Sequence, residues 1–223
     1  MQYDMDNISL QIDMNPLEFY ESVQFLGVTL NRKLSWNDHI NSVCLKVSRF
    51  IGIMNRLKYE LPSYILFALY NAYILSYLSY CNSIWGNTYS SHINTLILLQ
   101  KKAIRICSKA DYLAPTSKLF KSLNTLKLED INKLQIGSLM QRYHVNTLSP
   151  YLMNMFIVNS NIHDHYTRSS NKFHRWSYLN DKSKYSLRHT GPVLWNDLNL
   201  KLFNTQFNNS FKRQYKRILI SSY

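Results

Sequence analysis

Alanine, glycine and cysteine are all scarce in this sequence of 223 residues. Five alanines stand against 23 asparagines. Because alanine is the best helix former and asparagine a poor one, any helices must be held by packing rather than by intrinsic propensity. The five glycines form neither a glycine-rich phosphate loop nor a Gly-x-Ser-x-Gly elbow. The three cysteines (Cys44, Cys81 and Cys107) are far apart, which argues against a disulfide framework or a zinc knuckle and fits a reducing compartment. We therefore expect an intracellular protein, in the nucleus or the cytoplasm.

Acidic residues are few as well, 13 Asp and Glu against 26 Lys and Arg, so the net charge is +13. All 26 bases follow residue 31, which leaves residues 1–31 with a net charge of −5 and residues 32–223 with +18. Such an excess predicts contact with nucleic acid or with an anionic membrane. A basic protein that binds neither remains open on charge alone.

The acids are too dispersed for a polymerase-type active site. Two-metal nucleotidyl transfer needs carboxylates that together hold Mg²⁺. After residue 31, Glu129-Asp130 is the only adjacent pair, and the first turn of a helix favours acids there without any catalysis. His163 and His165, with His174 nearby, lack the further ligands that a metal site would need. The sequence thus predicts no catalytic residues, no cofactor and no metal.

A run without Asp, Glu, Lys or Arg extends from Leu61 to Gln100, long enough to be considered as a membrane span. Residues 64–80 contain five tyrosines as well as Asn71, Ser76 and Ser79, which is too polar for a helix that faces lipid. The acidic N-terminus also differs from a signal peptide. We predict a buried central helix here, and neither a membrane partner nor a small-molecule substrate.

The apolar pattern is strand-like before residue 36 and helical after it. Ile8, Leu10, Ile12 and Met14 alternate with polar residues, Asn15-Pro16 indicates a turn, and residues 22–30 form a second strand-like run. A bulge near Gly27 would reconcile the two registers of this run. The pattern therefore predicts one β-hairpin. Ser35, with Asp38 three residues later, indicates the start of the first helix.

Helical spacing recurs from there to the end of the chain. The first helix should bury Ile40, Val43, Cys44, Val47, Ile51 and Met54 and end near Leu61. Further helices are predicted at about 63–80, 93–107, 116–124 and 128–146. Past residue 150 the pattern predicts a short strand at 185–188, a short helix at 191–195 and a basic helix at 211–220.

Two kinds of side chain are candidates for binding nucleic acid. Tyr70, Tyr73, Tyr77 and Tyr80 share one helix face by their spacing and could stack on a strand, although a contact between helices is the favoured interpretation. Basic residues lie off the apolar stripes of two helices: Lys46, Arg49 and Arg56 on the first, and Lys101, Lys102, Arg105 and Lys109 on the third. They could contact phosphates or form solvated faces, and both alternatives stay open.

Five stretches, in this order, resemble the C-terminal part of a non-LTR (LINE-type) retrotransposon reverse transcriptase. "FLGVTLNRKLSWNDHI" resembles the segment that ends the palm and leads into the thumb. "LYNAYILSYLSYCNSIWGN" and "LQKKAIRIC" resemble two thumb helices. "HDHYTRSS" resembles an H-x-Y-x-T-R motif, and "SLRHTGPVLWNDL" with "FKRQYK" resembles the terminal block. Ser76 stands where the family often has proline, and the family's Y/F-x-D-D turn is absent from this sequence.

The resemblance implies a mainly α-helical fold with an N-terminal palm-end β-hairpin (1–33), a thumb-like helical bundle (34–149) and a smaller basic C-terminal region (150–223). It implies a fragment that binds RNA or an RNA/DNA template–primer and does not catalyse polymerisation. The expected phosphate-binding residues are Lys46, Arg49, Arg56, Lys101, Lys102, Arg105 and Arg168. Phe25, Leu26 and Gly27 would support the primer end. Two alternatives are a module that docks on an intact reverse transcriptase and the product of a decayed retroelement reading frame.

Overall fold

A computed structural model describes residues 11–162, 167–178, 181–198 and 208–223. The protein is mainly α-helical with short strands at its N-terminus, as predicted. The strands are β1 (Gln11–Ile12), β2 (Asn15–Pro16), β3 (Ser22–Phe25) and β4 (Val28–Asn31). The helices are α1 (Asn37–Leu57), α2 (Ser63–Leu69), α3 (Ser76–Ser79), α4 (Asn82–Trp85), α5 (Ser90–Cys107), α6 (Thr116–Ser122), α7 (Leu128–His144), α8 (Pro150–Met153), α9 (Asp181–Lys184), α10 (Leu187–Asp197) and α11 (Asn208–Ser221). A π-helical turn (Tyr70–Leu75) joins α2 to α3, and a 3₁₀ turn follows α8 at Asn159–Asn161.

The N-terminal strands form two hairpins rather than one. β1 pairs with β2, and β3 pairs antiparallel with β4 so that Phe25 lies opposite Val28. Leu26 and Gly27 are the two residues of that turn, with φ of 45° and 79°, as a type I′ turn requires. The predicted bulge at Gly27 is therefore wrong: the two apolar registers belong to two strands. Ile8 and Leu10 of the predicted first strand lie outside the described residues.

Helix α1 begins one residue later than the Ser35–Asp38 pattern indicates, and its buried face is the predicted one. The Asn31 side chain organises the preceding turn: its Oδ1 accepts the backbone N–H of Ser35 (2.9 Å), and its Nδ2 donates to the Ser35 hydroxyl (2.7 Å). Ile40, Val43, Val47, Ile51 and Met54 are buried and Cys44 is half-buried. Helix α1 packs mainly on α5.

The segment from Ser63 to Ser79 is one continuous helical rod interrupted by the π-turn. The Ser76 hydroxyl donates to the carbonyl of Ala72 (2.7 Å), a bond that a proline at this position could not make. The extra residue in a π-turn shifts side chains around the helix axis. Tyr70 is fully buried in one stripe with Leu66, Ile74 and Leu78, whereas Tyr73 and Tyr80 are exposed.

Helix α7, not the helix at 63–80, lies at the centre. Helices α3, α4, α5, α10 and α11 all pack against it. Gly137 permits the approach of α11, because a Cβ there would lie 2.9 Å from the Tyr215 ring. Helix α10 also begins earlier than predicted, at Leu187, so the strand predicted at 185–188 is wrong. The helices of the C-terminal region thus complete the core around α7.

Candidate nucleic-acid interface

A groove of about 310 Å³ lies where the second hairpin meets α1 and the tyrosine-bearing rod. Gln24 and Gly27 come from the hairpin, Lys46 from α1, and Tyr77 and Tyr80 from the rod. The hairpin turn is fixed to the rod because the Tyr80 hydroxyl donates to the Leu26 carbonyl (2.6 Å). Of the predicted site residues, Gly27 and Lys46 are brought together here.

Among the described residues that line this groove, Lys46 is the only Lys, Arg, Asp or Glu. Its Nζ lies 5.3 Å from the centre of the Tyr77 ring, within cation–π range. His39 is held neutral: burial and then the charge of Lys46 lower its pKa, and its Nδ1 accepts the Thr29 N–H (3.3 Å). The groove thus combines one cation with two tyrosine rings and no anion.

The tyrosines divide between two environments. Tyr70 faces the core, where its hydroxyl oxygen accepts a hydrogen bond from Gln100 Nε2 (3.0 Å). Tyr73 stacks on Phe50 of α1 at 4.6 Å, and Tyr77 lies 6.3 Å from the same ring. Tyr73 and Tyr77 therefore form a contact between helices, as the favoured interpretation predicts. The four tyrosines do not share one face, because Tyr70 points into the core.

The remaining cations of α1 are solvent-facing. Arg49 and Arg56 are exposed on the side of α1 opposite its buried stripe. They are within reach of a polyanion that passes over α1.

The cations of α5 meet other elements. Lys101 is half-buried and lines a small cavity together with Thr116 and Lys127. The Arg105 Nε donates to the Ala114 carbonyl (2.9 Å), so this side chain also braces the loop before α6. Lys102 is exposed. The contacts of this row lie toward α6 and α7, whereas Lys46 faces the hairpin.

The residues predicted to support a primer end are at the tip of the second hairpin. Phe25 and Leu26 are 62% and 74% exposed, and Gly27 takes the left-handed backbone of the turn. The tip thus presents apolar side chains to solvent beside the groove.

Arg168 is exposed next to a turn in which Ser170 N–H donates to the Thr167 carbonyl (3.0 Å). His163 and His165 lie outside the described residues. His174 packs edge-on against Trp176 at 4.9 Å. Within the described parts of the chain, no three His, Cys, Asp or Glu side chains lie close enough together to hold a metal ion.

Sequence reasoning missed two features. One is Gln100 of α5, a polar residue that is buried. Its position within the apolar stripe of α5 was the signal that could have revealed it. The other is a pair of cation–π contacts, in which Lys184 lies over Tyr178 and Arg188 over Trp176. Their signal was the interleaving of aromatic and basic residues in a stretch without a clear hydrophobic period. Across residues that the structure describes, every helix is too short or too polar to traverse a bilayer.

This chain is similar to a protein of one class, the RNA-directed DNA polymerases of mobile elements. The relative is the RNA-directed DNA polymerase from the mobile element jockey of Drosophila melanogaster, with 27% identity over 157 residues. The match covers 65% of this chain and 16% of the relative. The similarity supports a relationship to non-LTR retrotransposon reverse transcriptases. No protein-family profile and no solved structure matches the chain.

Proposed function

We propose that the chain binds the template–primer of a non-LTR retrotransposon reverse transcriptase, as an end-of-palm and thumb segment without polymerase activity of its own. Its similarity to the jockey polymerase and the charge of +18 after residue 31 support this proposal. The observation that carries it is the groove in which the hairpin tip, a lysine and two tyrosines converge.

The geometry suggests a division of labour in this interface. The apolar tip (Phe25 and Leu26) would contact the sugar and base edges at a primer end, while Lys46 neutralises a nearby phosphate. Arg49, Arg56 and Lys102, which are exposed, would contact phosphates farther along the duplex. Such contacts carry affinity but no sequence information.

The absence of catalysis rests on the placement of the acids. Asp130 is buried, and both of its oxygens are engaged: Oδ1 pairs with Lys133 (2.8 Å), and Oδ2 accepts the Tyr223 hydroxyl (2.7 Å). A carboxylate tied in this way serves the packing of α7. Two-metal chemistry would need several carboxylates at one place.

The test compares two triple variants with the same loss of charge. One is Arg49→Gln, Arg56→Gln and Lys102→Gln on α1 and α5; its matched control is Lys212→Gln, Arg213→Gln and Arg217→Gln, three exposed cations on α11. Binding of an RNA/DNA duplex is measured by fluorescence anisotropy over a range of salt concentrations. We expect the first variant to flatten the log–log salt slope by about 2–3, since each lost phosphate contact removes roughly 0.7–0.9. The α11 control should change the slope by less than about 1.

If the α11 variant flattens the slope and the variant on α1 and α5 does not, the duplex lies on the C-terminal region and the thumb assignment is refuted. If the wild-type chain does not bind the duplex, there is no salt slope to measure and the proposed function itself is wrong.

A second candidate function is docking on an intact reverse transcriptase. It is favoured by the apolar side chains that the hairpins leave exposed: Ile12, Met14, Leu17, Phe19, Tyr20, Val23, Phe25 and Leu26. The β3 edge also offers unpaired backbone groups to another strand. If this function holds, Val23→Thr with Phe25→Ser should abolish co-elution with a related intact polymerase, while Tyr59→Ser, at the far end of α1, should not. Salt should barely weaken such an apolar contact.

A further inference from the structure

A second pocket, of about 380 Å³, lies in the C-terminal region, away from the hairpin groove. Its lining residues are Trp176, Ser177, Tyr178, Ser183, Ser186, Arg188 and His189. This volume falls in the range of small-ligand sites. None of the described residues that line the pocket is acidic; they carry aromatic, hydroxyl or basic side chains.

Two cations are held against aromatic rings here: Arg188 lines the pocket, and Lys184 lies beside Tyr178, one of the lining residues. The Arg188 guanidinium lies 4.2 Å from the centre of the Trp176 ring. The Lys184 Nζ lies 5.9 Å from the Tyr178 ring and 5.7 Å from the Tyr185 ring. Among the ion pairs formed by described side chains, none involves Lys184 or Arg188. Both positive charges are therefore available to an anion, and the rings restrict where they point.

A partly exposed aromatic ring lies beside these cations. Tyr178 is 47% exposed, and its ring is held edge-on by His189 at 5.0 Å. The His189 ring is positioned in turn by a 3.0 Å contact between its Nδ1 and the Trp176 carbonyl oxygen. Tyr178 is thus a supported and partly exposed ring, of the kind on which single-strand binding proteins stack bases.

We propose that this pocket binds an unpaired nucleotide of a single-stranded RNA or DNA segment. The base stacks on Tyr178, and its phosphates lie against Lys184 and Arg188. The inference rests on the proposed nucleic-acid function but assigns it a second, single-strand-selective site. A duplex is disfavoured here because paired bases are already stacked within the helix and do not offer a free face.

The aromatic walls distinguish a nucleotide from other anions. Inorganic phosphate or an acidic peptide would use the two cations but gain little from the exposed part of the Tyr178 ring. A nucleotide uses both, because every base has a π-face and every linkage has a phosphate. The pocket therefore should prefer an oligonucleotide to an acidic peptide of equal charge.

The experiment uses the full chain, a labelled oligouridylate and an RNA/DNA duplex of the same length. Tyr178→Ala removes the stacking face, and Tyr178→Phe keeps it. The matched control is Tyr151→Ala, because Tyr151 is 89% exposed on α8 and outside the pocket. We expect Tyr178→Ala to weaken oligouridylate binding by roughly tenfold. Tyr178→Phe and Tyr151→Ala should bind like wild type, and none of the three should weaken duplex binding by more than about twofold.

Lys184→Gln supplies a second arm, with Lys118→Gln, an exposed lysine of α6, as its control. The loss of one phosphate contact should flatten the single-strand salt slope by about 0.7 for Lys184→Gln only. Competition with an oligoglutamate peptide completes the test, and the peptide should displace the oligouridylate poorly.

Three results would overturn the pocket while leaving the proposed function in place. These are wild-type oligouridylate affinity in Tyr178→Ala, an equal loss of single-strand and duplex binding in that variant, or effective competition by oligoglutamate. The absence of any nucleic-acid binding by the wild-type chain would overturn both. A circular dichroism spectrum of each variant identifies a loss of affinity that comes from unfolding.

Discussion

Replacing Gln100 by leucine should destabilise the fold more than any single surface change, because three hydrogen bonds depend on this side chain. Its Oε1 accepts the Leu128 N–H at the start of α7 (2.8 Å). Its Nε2 donates to the Leu126 carbonyl (2.9 Å) and to the Tyr70 hydroxyl oxygen (3.0 Å). Gln100 is 1% exposed, so water cannot replace it. The amide therefore fastens the first turn of α7 to α5 and to the rod.

The magnitude follows from what leucine leaves behind. Two buried backbone groups, at Leu126 and Leu128, lose their partner, and each unsatisfied group costs about 1–3 kcal/mol. The better burial of an apolar side chain offsets part of this cost. We expect a net loss of roughly 3 kcal/mol in the free energy of unfolding, a large share of a typical domain's 5–15 kcal/mol. Tyr70→Phe leaves both of these backbone bonds in place and should cost only about 1 kcal/mol.

Urea denaturation followed by circular dichroism measures both variants under the same conditions. The m-value should stay constant while the midpoint falls, and more for Gln100→Leu than for Tyr70→Phe. Equal losses in the two variants, or a loss below about 1 kcal/mol for Gln100→Leu, would refute the role assigned to this amide.

Three further outcomes are expected. Burial raises the pKa of the Cys107 thiol from 9.0 to about 12. Since the folded state holds this proton more tightly, the contribution of this thiol to stability is constant below pH 9 and falls as pH rises from about 9 toward 12. Urea midpoints at about pH 8 and pH 10 measure the fall, which should be smaller in Cys107→Ala. The Tyr223 hydroxyl bonds both a buried Asp130 oxygen and the Lys127 N–H. Tyr223→Phe removes it and should lower the free energy of unfolding by about 1–3 kcal/mol. An unchanged midpoint in the same urea assay would contradict this. The purified chain should extend no primer with Mg²⁺ or Mn²⁺, because its carboxylates are dispersed; extension above a no-protein control that persists after repurification would disprove the proposal.

Much of the helical framework follows from the sequence alone. The spacing of Ile40, Val43, Val47, Ile51 and Met54 predicts the buried face of α1, and the structure confirms it. This works because an amphipathic helix repeats its environment every turn, so the pattern survives without knowledge of the partner. The mainly helical fold was predictable for the same reason. The relationship to a retrotransposon polymerase was predictable from short motifs that occur in a fixed order along the chain.

Other features depend on long-range packing that no local pattern contains. The spacing of Tyr70, Tyr73 and Tyr77 predicts one face, but Tyr70 lies in the core against Gln100 while Tyr73 is exposed. Helix α7 has a weak apolar stripe because its buried positions include polar side chains such as Asp130, Asn132 and Gln141, so polarity does not mark its buried face. The Trp176 and Arg188 contact likewise joins residues in a stretch without a period. Sequence thus determined which segments are helices and where the charge lies. Only tertiary structure decided which bases share a groove, because that depends on how the helices pack against one another.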